Sequence, residues 1–329
     1  FAISSVLILA GAYLFAIQKN TMFGMDFTGG YSLTVEVEDQ PNVDSYRLQA
    51  VDSIVSAGLN KSNLDIRELS RPTQLKIQIG TGAEEPGQPF YGMSETLEGQ
   101  DPTYEYQNIP RLNWVIEALQ KGGMKISANQ LNQINGNWSV MSGQFSDAMR
   151  NNALVALGVA FASILLYITL RFEFKYAISA VIALAHDLLI TLAVLAFFHK
   201  LGFALQINLE IVGALMTIIG YSLNDKIIIF DRIREDVNIF RKKKFAEVLN
   251  HAINVTLTRT LMTSGTTLVV LLTLVFLGGK SIFGFSLVMT VGVVVGTLSS
   301  FFIACPTLLY FHNKEQSQHR NHQVSTNKA

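Results

Sequence analysis

The sequence predicts a membrane-embedded bundle of six α-helices that carries one α+β domain outside the cytoplasmic membrane. Three observations predict it: six apolar runs near the length of a bilayer span, a lopsided distribution of Lys and Arg among the loops, and an acidic polar stretch between the first two runs. The chain has 329 residues, of which 49% are hydrophobic and only 15% charged. Soluble domains run nearer about 25% charged. The formal net charge is zero, so no global electrostatic footprint points to nucleic acid.

A hydrocarbon core of roughly 30 Å needs about 20 apolar residues in a helix. Runs that meet or approach this are 1–18, 152–170, 177–198, 207–230, 257–278 and 284–310. The chain opens Phe1-Ala2-Ile3, without a methionine or a basic leader, so the first run reads as a helix of a longer polypeptide and not as a signal peptide. The links 171–176, 199–206 and 279–283 are short, which makes the flanking helices antiparallel neighbours.

Orientation follows from the basic residues of the loops, because Lys and Arg accumulate on the cytoplasmic side. Arg171 and Lys175 share one loop; Arg232, Arg234, Arg241 and Lys242–Lys244 lie in 231–256; Lys314, Arg320 and Lys328 lie in the tail 312–329. Only Lys200 and Lys280 lie in the opposite loops, eleven against two. The 231–256 loop and the tail are then cytoplasmic, and the domain 19–146 is extracytoplasmic. Its 24–146 stretch holds fifteen Asp and Glu against eight Lys and Arg.

Within that domain Tyr31–Val37 and Leu75–Ile79 alternate as strands do. Residues 43–57 and 111–121 have helical spacing, with Val43, Leu48, Val51, Ile54 and Val55 on one face. The order strand, helix, strands, helix, strand predicts a ferredoxin-like sandwich. Residues 80–108, rich in Gly, Glu, Gln and Pro, read as an inserted loop with little core of its own. No catalytic constellation is visible there, so a protein-contacting surface is the expected role. The single cysteine, Cys305, lies in an apolar run; it excludes an intrachain disulfide and a CxxC metal site, and no cofactor is expected.

Ionisable residues within the apolar runs are the candidates for function, since a charged side chain there costs at least about 2.5–3.5 kcal/mol on insertion scales. His186 and Asp187 sit mid-helix in Ala183-Leu184-Ala185-His186-Asp187, as a polar clamp or as part of a relay. Asn224, Asp225 and Lys226 end Gly220-Tyr221-Ser222-Leu223-Asn224-Asp225-Lys226, with Asp225 about 9 Å inside the interface at 1.5 Å per residue. Burial opposes a charged carboxylate and a nearby cation favours it, so a group balanced between the two can bind and release a proton. Arg259, in Thr258-Arg259-Thr260, is long enough to reach the depth of Asp225 and needs a carboxylate or carbonyl partner. By helix rise Arg259, Asp225 and His186/Asp187 lie about 5, 9 and 15 Å deep, a staircase entered from the cytoplasm. Charges from Asp231 onward mark the interface and read as ordinary.

Three features read as structural. Gly24, Asp26, Gly29 and Gly30 form a tight exit turn in Gly24-Met25-Asp26-Phe27-Thr28-Gly29-Gly30. Gly292 and Gly296 form a GxxxG for close helix packing. Phe245, Val248, Leu249, Ala252 and Ile253 repeat at helical spacing, which predicts an amphipathic segment lying on the membrane surface.

Taken together these motifs resemble the SecF family. The resemblance rests on Gly24–Gly30, Arg171-Phe172-Glu173, Ala183–Asp187, Gly220–Asp225 running into Phe230–Glu235, Thr256–Thr260 followed by Thr263–Thr267, and Gly296–Ser300, all in order. It implies an RND permease-type bundle of transmembrane helices 1 (1–18) and 2–6 (147–311), paired with a SecD-like half or subunit, here as the C-terminal half of a fused SecDF. It also implies a non-enzymatic accessory role in Sec protein export at the bacterial inner membrane: with a SecYEG-type translocon, the proton motive force is coupled to movement of an unfolded preprotein. Asp225 and Arg259 fall on the positions linked to proton conduction in that family. One departure is Lys226, where the family usually has Thr; a cation there would hold Asp225 ionised. Two rival readings are a small-molecule exporter half of the same superfamily and an intramembrane hydrolase using Ser222 with His186.

Overall fold

The computed structural model describes residues 2–326, apart from 42, 44, 70, 95–105, 202 and 204. Its contacts divide the chain into two compact units. One comprises Lys19–Ala153 with Gln206–Leu209, the other Phe1–Gln18, Leu154–Leu205 and Glu210–Ala329. In chain order the elements are α1 (Ala2–Met22), α2 (Met25–Thr28), β1 (Gly30–Glu36), α3 (Tyr46–Ser56), β2 (Leu64–Glu68), β3 (Gln74–Ile79), α4 (Pro110–Lys121), α5 (Ala128–Leu131), β4 (Trp138–Met141) and α6 (Gly143–Arg171). There follow α7 (Phe174–Lys200), α8 (Leu209–Ile239), α9 (Phe245–Leu277), α10 (Gly279–Ser299) and α11 (Cys305–Thr326).

The α+β unit is one four-stranded sheet in the order β2-β3-β1-β4, every pair antiparallel. Period-two alternation sets its register: Leu75, Ile77 and Ile79 of β3 are buried, and Leu33 of β1 lies opposite Ile77. The strands expected at Tyr31–Val37 and Leu75–Ile79 are found within a residue or so, and β2 and β4 supply the other two strands of the expected order. Helices α3 and α4 supply the other half of the core. α3 starts at Ser45, whose side chain accepts from the Leu48 N–H, and α4 starts on Pro110, whose fixed φ suits a first helical position. The buried face of α3 is Tyr46, Ala50 and Ile54, a strict i, i+4, i+8 stripe. Leu48, expected on that face, is instead 63% exposed.

The segment after β3 has more core than its composition suggests. A 3₁₀ turn at Thr81–Glu84 is followed by Phe90, which is fully buried. Its ring meets Tyr31 and Trp114 edge-on at centroid distances of 5.2 and 5.5 Å, and Tyr31 stacks on Trp138. Arg111 covers the Tyr31 ring and pairs with Glu84 at 3.4 Å. The expected core-poor insert 80–108 is therefore corrected for 80–94: low-hydropathy flanks conceal one aromatic anchor. Residues 95–105 of that insert lie outside the described residues.

Among the described residues five helices are long and apolar enough to cross a membrane: α6, α7, α8, α9 and the continuous rod of α10 and α11. α1 adds a shorter apolar stretch, Ile3–Gln18. It lies against α7 at backbone distance, since a Cβ on Gly11 would fall 2.1 Å from the Ala193 Cβ. α7, α8 and the α10–α11 rod are about half buried, whereas α6 and α9 expose most of their surface. A π-helical turn at Ser300–Ala304 joins α10 to α11. Pro306 accounts for it: the residue has no N–H for the carbonyl four positions back, and its ring crowds that carbonyl. The stretch after 311, expected as a tail, continues as helix to Thr326.

The amphipathic segment 245–253 is also corrected. It is the first part of α9, continuous with the span, and its apolar face is covered by protein. Leu249 and Ala252 join a core with Tyr176, Phe230, Ile233 and Leu308, while Phe245 stacks on His312 at 3.8 Å. Helical periodicity reports a covered face and cannot tell protein from lipid as the cover.

Truncating Phe90 should show whether this ring holds the α+β unit together. Phe90→Ala is expected to cost about 3–5 kcal/mol, measured as faster limited proteolysis between residues 60 and 94 in the full chain, while a Tyr91→Ala control on an exposed ring leaves the digestion unchanged.

Candidate functional site

The site is built where α7, α8 and the α10–α11 rod meet inside the helical unit. Close approach comes first. A Cβ on Gly292 would fall 2.2 Å from Ile218, and one on Gly296 would fall 2.9 Å from Ser222. Both pairs are four residues apart, so two glycines on one helix receive two successive turns of α8. That proximity brings polar groups of α8 against Ser299 at the end of α10.

Lys226 is the centre of the resulting cluster and has no exposed surface. Its ammonium donates to Asp187 Oδ2 at 2.8 Å, to Ser222 Oγ at 2.5 Å and to Ser299 Oγ at 3.1 Å. Three donors thus have three acceptors. Asp187, 1% exposed, also accepts from Ser222 Oγ at 2.5 Å, and its other oxygen lies 3.2 Å from His186 Nδ1. His186 Nε2 is buried without a hydrogen-bond partner. The cluster is a paired charge with its shell satisfied, the condition under which a buried ion pair is tolerated.

Asp225 lies one residue away and faces elsewhere, because consecutive residues on a helix diverge by about 100°. It is 1% exposed. Its carboxylate accepts from Thr297 Oγ1 at 3.4 Å and Ser264 Oγ at 3.5 Å, and these two hydroxyls are 2.7 Å from each other. The expectation that Lys226 pairs with Asp225 is therefore corrected: the ammonium is spent on Asp187 in α7. Sequence adjacency suggested the wrong partner, and the right one lies thirty-nine positions away on another helix.

The other candidates are not gathered here. Arg259 and Asn224 are exposed on the surface of the helical unit, and no carboxylate among the described residues meets Arg259. Among the described residues Arg259 therefore joins neither cluster; Asp225 and Asp187 belong to two adjoining hydrogen-bonded clusters. The hydrolase geometry is also missing, since Ser222 Oγ donates to Asp187 and His186 binds the opposite oxygen of the same carboxylate. Among the described residues no group of His, Cys, Asp and Glu could hold a metal ion.

Asp236 corrects the reading of the charges after residue 231 as ordinary. It is fully buried, pairs with Arg232 at 3.0 Å and lies 2.9 Å from His251 Nδ1, which ties the end of α8 to the start of α9. A single Asp in a run of exposed charges gives no sequence signal of burial.

The Gly24–Gly30 motif does more than turn. Gly24 N–H donates to the Ile207 carbonyl at 2.8 Å, Ile207 N–H to the Met22 carbonyl at 2.7 Å, and Asp26 accepts from Leu209 N–H, the first residue of α8, at 3.0 Å. Ser146 Oγ donates to the Met25 carbonyl at 3.1 Å. Gly29 and Gly30 have φ of 70° and 126°, and a Cβ on Gly30 would fall 2.2 Å from the Ile79 carbonyl oxygen. The motif therefore fastens three stretches of chain, 22–26, 146 and 207–209.

A helical bundle with apolar spans, glycine-mediated helix contact and ionisable groups sealed inside defines a polytopic membrane protein with a charged interior. The chain belongs to the SecD/SecF family: the family described as protein export membrane protein SecD/SecF, C-terminal, matches residues 123–314. It is 32% identical over 321 residues to the protein translocase subunit SecF of Rhodothermus marinus, covering 97% of this chain and 92% of that one. It is 33% identical over 316 residues to the same subunit of Escherichia coli O157:H7, covering 96% and 86%. Among solved structures it is similar to SecDF, a translocon-associated membrane protein from Thermus thermophilus, with a TM-score of 0.73 and 28% identity. That match covers 95% of this chain and 37% of the longer one.

Removing one member of the buried pair isolates its energetics. Lys226→Met leaves Asp187 without its cation and should cost about 3–5 kcal/mol, whereas Lys226→Met with Asp187→Leu should recover most of the loss. Thermal unfolding of the purified chain in detergent reads both. A second test is Gly296→Val, which pushes α8 away from α10 and should lower the melting temperature while leaving the α+β unit's proteolysis pattern unchanged.

Proposed function

We propose that this chain is the SecF-type accessory component of the Sec translocon and couples the proton gradient across the cytoplasmic membrane to preprotein movement on the outer side. The observation that carries this is similarity to SecF along nearly the whole chain, at 32% identity over 97% of it. In this reading a proton binds and leaves Asp225, the carboxylate sealed among hydroxyls, while the Lys226–Asp187 pair is the fixed scaffold beside it. A proton falling through about 100 mV releases about 2.3 kcal/mol, enough to shift a two-state equilibrium by nearly two decades.

The membrane architecture belongs to the same proposal. α1 acts as a sixth span, supported by its backbone-close contact with α7 at Gly11. The sheet order β2-β3-β1-β4 within a β-α-β-β-α-β chain supports a ferredoxin-like class for the α+β unit. Loop charge supports an extracytoplasmic place for that unit and a cytoplasmic one for 231–256. α9 exposes Arg259, Thr263 and Thr266, polar groups on a helix that is apolar enough to cross the membrane. Such a stripe calls for protein as its cover, and a SecD-like half fits, with a carboxylate of that half meeting Arg259.

The test is Asp225→Asn, in vesicles that hold the chain together with a SecD half and a SecYEG-type translocon. Loss of proton uptake under an imposed gradient, together with loss of gradient-dependent preprotein movement, is the expected result. Unchanged uptake and unchanged movement would overturn the proposal.

A further inference from the structure

Asp225 has hydroxyls on one side and, through the next residue, a filled ion pair on the other, and the two sides are not equivalent for a moving proton. Every donor of Lys226 is engaged with Asp187, Ser222 and Ser299. On the opposite side the polar contacts continue. Ser264 and Thr297 both reach Asp225 Oδ2. The Tyr221 hydroxyl lies 3.4 Å from Ser264 Oγ and 3.3 Å from Thr267 Oγ1. Ser264 is buried, Tyr221 half-buried, and Thr267 reaches the surface of the helical unit. A row of hydroxyls spaced 3.3–3.5 Å apart thus leads from a sealed carboxylate to the surface of the unit.

We infer that Thr267, Tyr221 and Ser264 form the path by which a proton reaches Asp225, with Tyr221 as the gate in the middle. This rests on the reading that Asp225 is the proton-binding group. The direction follows from the helices: Tyr221 is one turn before Asp225 on α8, about 6 Å along its axis, and Thr267 is about one turn beyond Ser264 on the antiparallel α9. Both steps lead away from 231–256 and towards the side that carries Lys200 and Lys280, the outer side by loop charge.

Atoms balance without a co-reactant. The Thr267 hydroxyl, which donates to the Thr263 carbonyl in this conformation, turns to the Tyr221 oxygen. A hydronium ion then gives a proton to Thr267 Oγ1 and leaves as water, Thr267 gives its own to Tyr221, Tyr221 gives its proton to Ser264 Oγ, and Ser264 gives its own to the carboxylate. Each hydroxyl ends with one O–H, as it began, and Asp225 becomes the neutral acid. Ser264 and Tyr221 each have one hydrogen and two acceptors in reach, Asp225 or Thr297 for the first and Ser264 or Thr267 for the second. Which acceptor holds the hydrogen decides whether the path is connected. The contacts at Tyr221 and at Asp225 measure 3.3–3.5 Å, longer than the usual 2.5–3.0 Å for O–H···O, so the path is not connected in this conformation.

The experiment compares Asp225→Asn, Tyr221→Phe, Thr267→Val and Thr267→Ser in vesicles with a SecD half, reading proton uptake under an imposed gradient and its slowing in D₂O. Phe and Val keep the bulk and remove only a hydroxyl, and Ser restores one. Tyr221→Phe and Thr267→Val should each reduce uptake by about a hundredfold, the low end for a positioned proton-transfer group, with Thr267→Ser near the parent rate. Protein yield and melting temperature should stay at the parent values. Uptake blocked by Asp225→Asn but untouched by Tyr221→Phe and Thr267→Val overturns the path and leaves the role of Asp225 standing. Uptake untouched by Asp225→Asn overturns both.

Discussion

A lysine without any exposed surface inside an apolar bundle sets terms for everything around it. An ammonium ion taken out of water loses solvation worth several kcal/mol even after relaxation, and only close, complete pairing offsets that loss. Lys226 has such pairing through one carboxylate and two hydroxyls drawn from α7, α8 and the end of α10. Helices that supply those groups cannot drift apart without stranding the charge. The pair therefore works as a register pin, whether or not its net contribution to stability is large.

The glycines and the pin depend on each other. Small residues at 292 and 296 let α8 approach until Ser222 and Lys226 meet Ser299, and the satisfied ammonium then fixes which turns of the two helices face each other. Asp225, on a neighbouring face of the same turn, is left to hydroxyls alone. A fixed charge thus sits beside a carboxylate held by two hydroxyls, and the two groups of one helical turn are bound into different clusters.

Much of the architecture was legible in the sequence for physical reasons that act locally. Apolar runs announce spans because each backbone group in a bilayer must bond within its own helix, and the β1 and β3 alternation announces a sheet with one buried face. Asp225 and Asp187 stood out because charge in an apolar run is expensive. What was not legible depended on partners distant in sequence. Lys226 looked like a neighbour of Asp225 but turned to Asp187, thirty-nine positions earlier in the chain. Phe90 was hidden by polar flanks, the burial of Asp236 by surrounding charges, and the cover over the 245–253 face by the inability of periodicity to name it. Pro306 was the one local signal available for the π turn.

That turn has a geometric consequence for the last membrane rod. Between residues 290 and 312 its exposed residues are Val294, Leu298, Phe302, Pro306 and Tyr310, spaced by four. On an uninterrupted α-helix a spacing of four gains about 40° at each step, so over these residues the outward row would wind nearly halfway round the rod. One extra residue, worth about 100° of rotation, takes up most of the excess. A single straight seam between inside and outside is kept along a helix whose inner side must serve glycine contact, then a lysine's hydrogen bond, then plain apolar packing at Ile303, Ala304 and Leu308. The bulge is a gear correction, and it lets one rod mesh with three different neighbours.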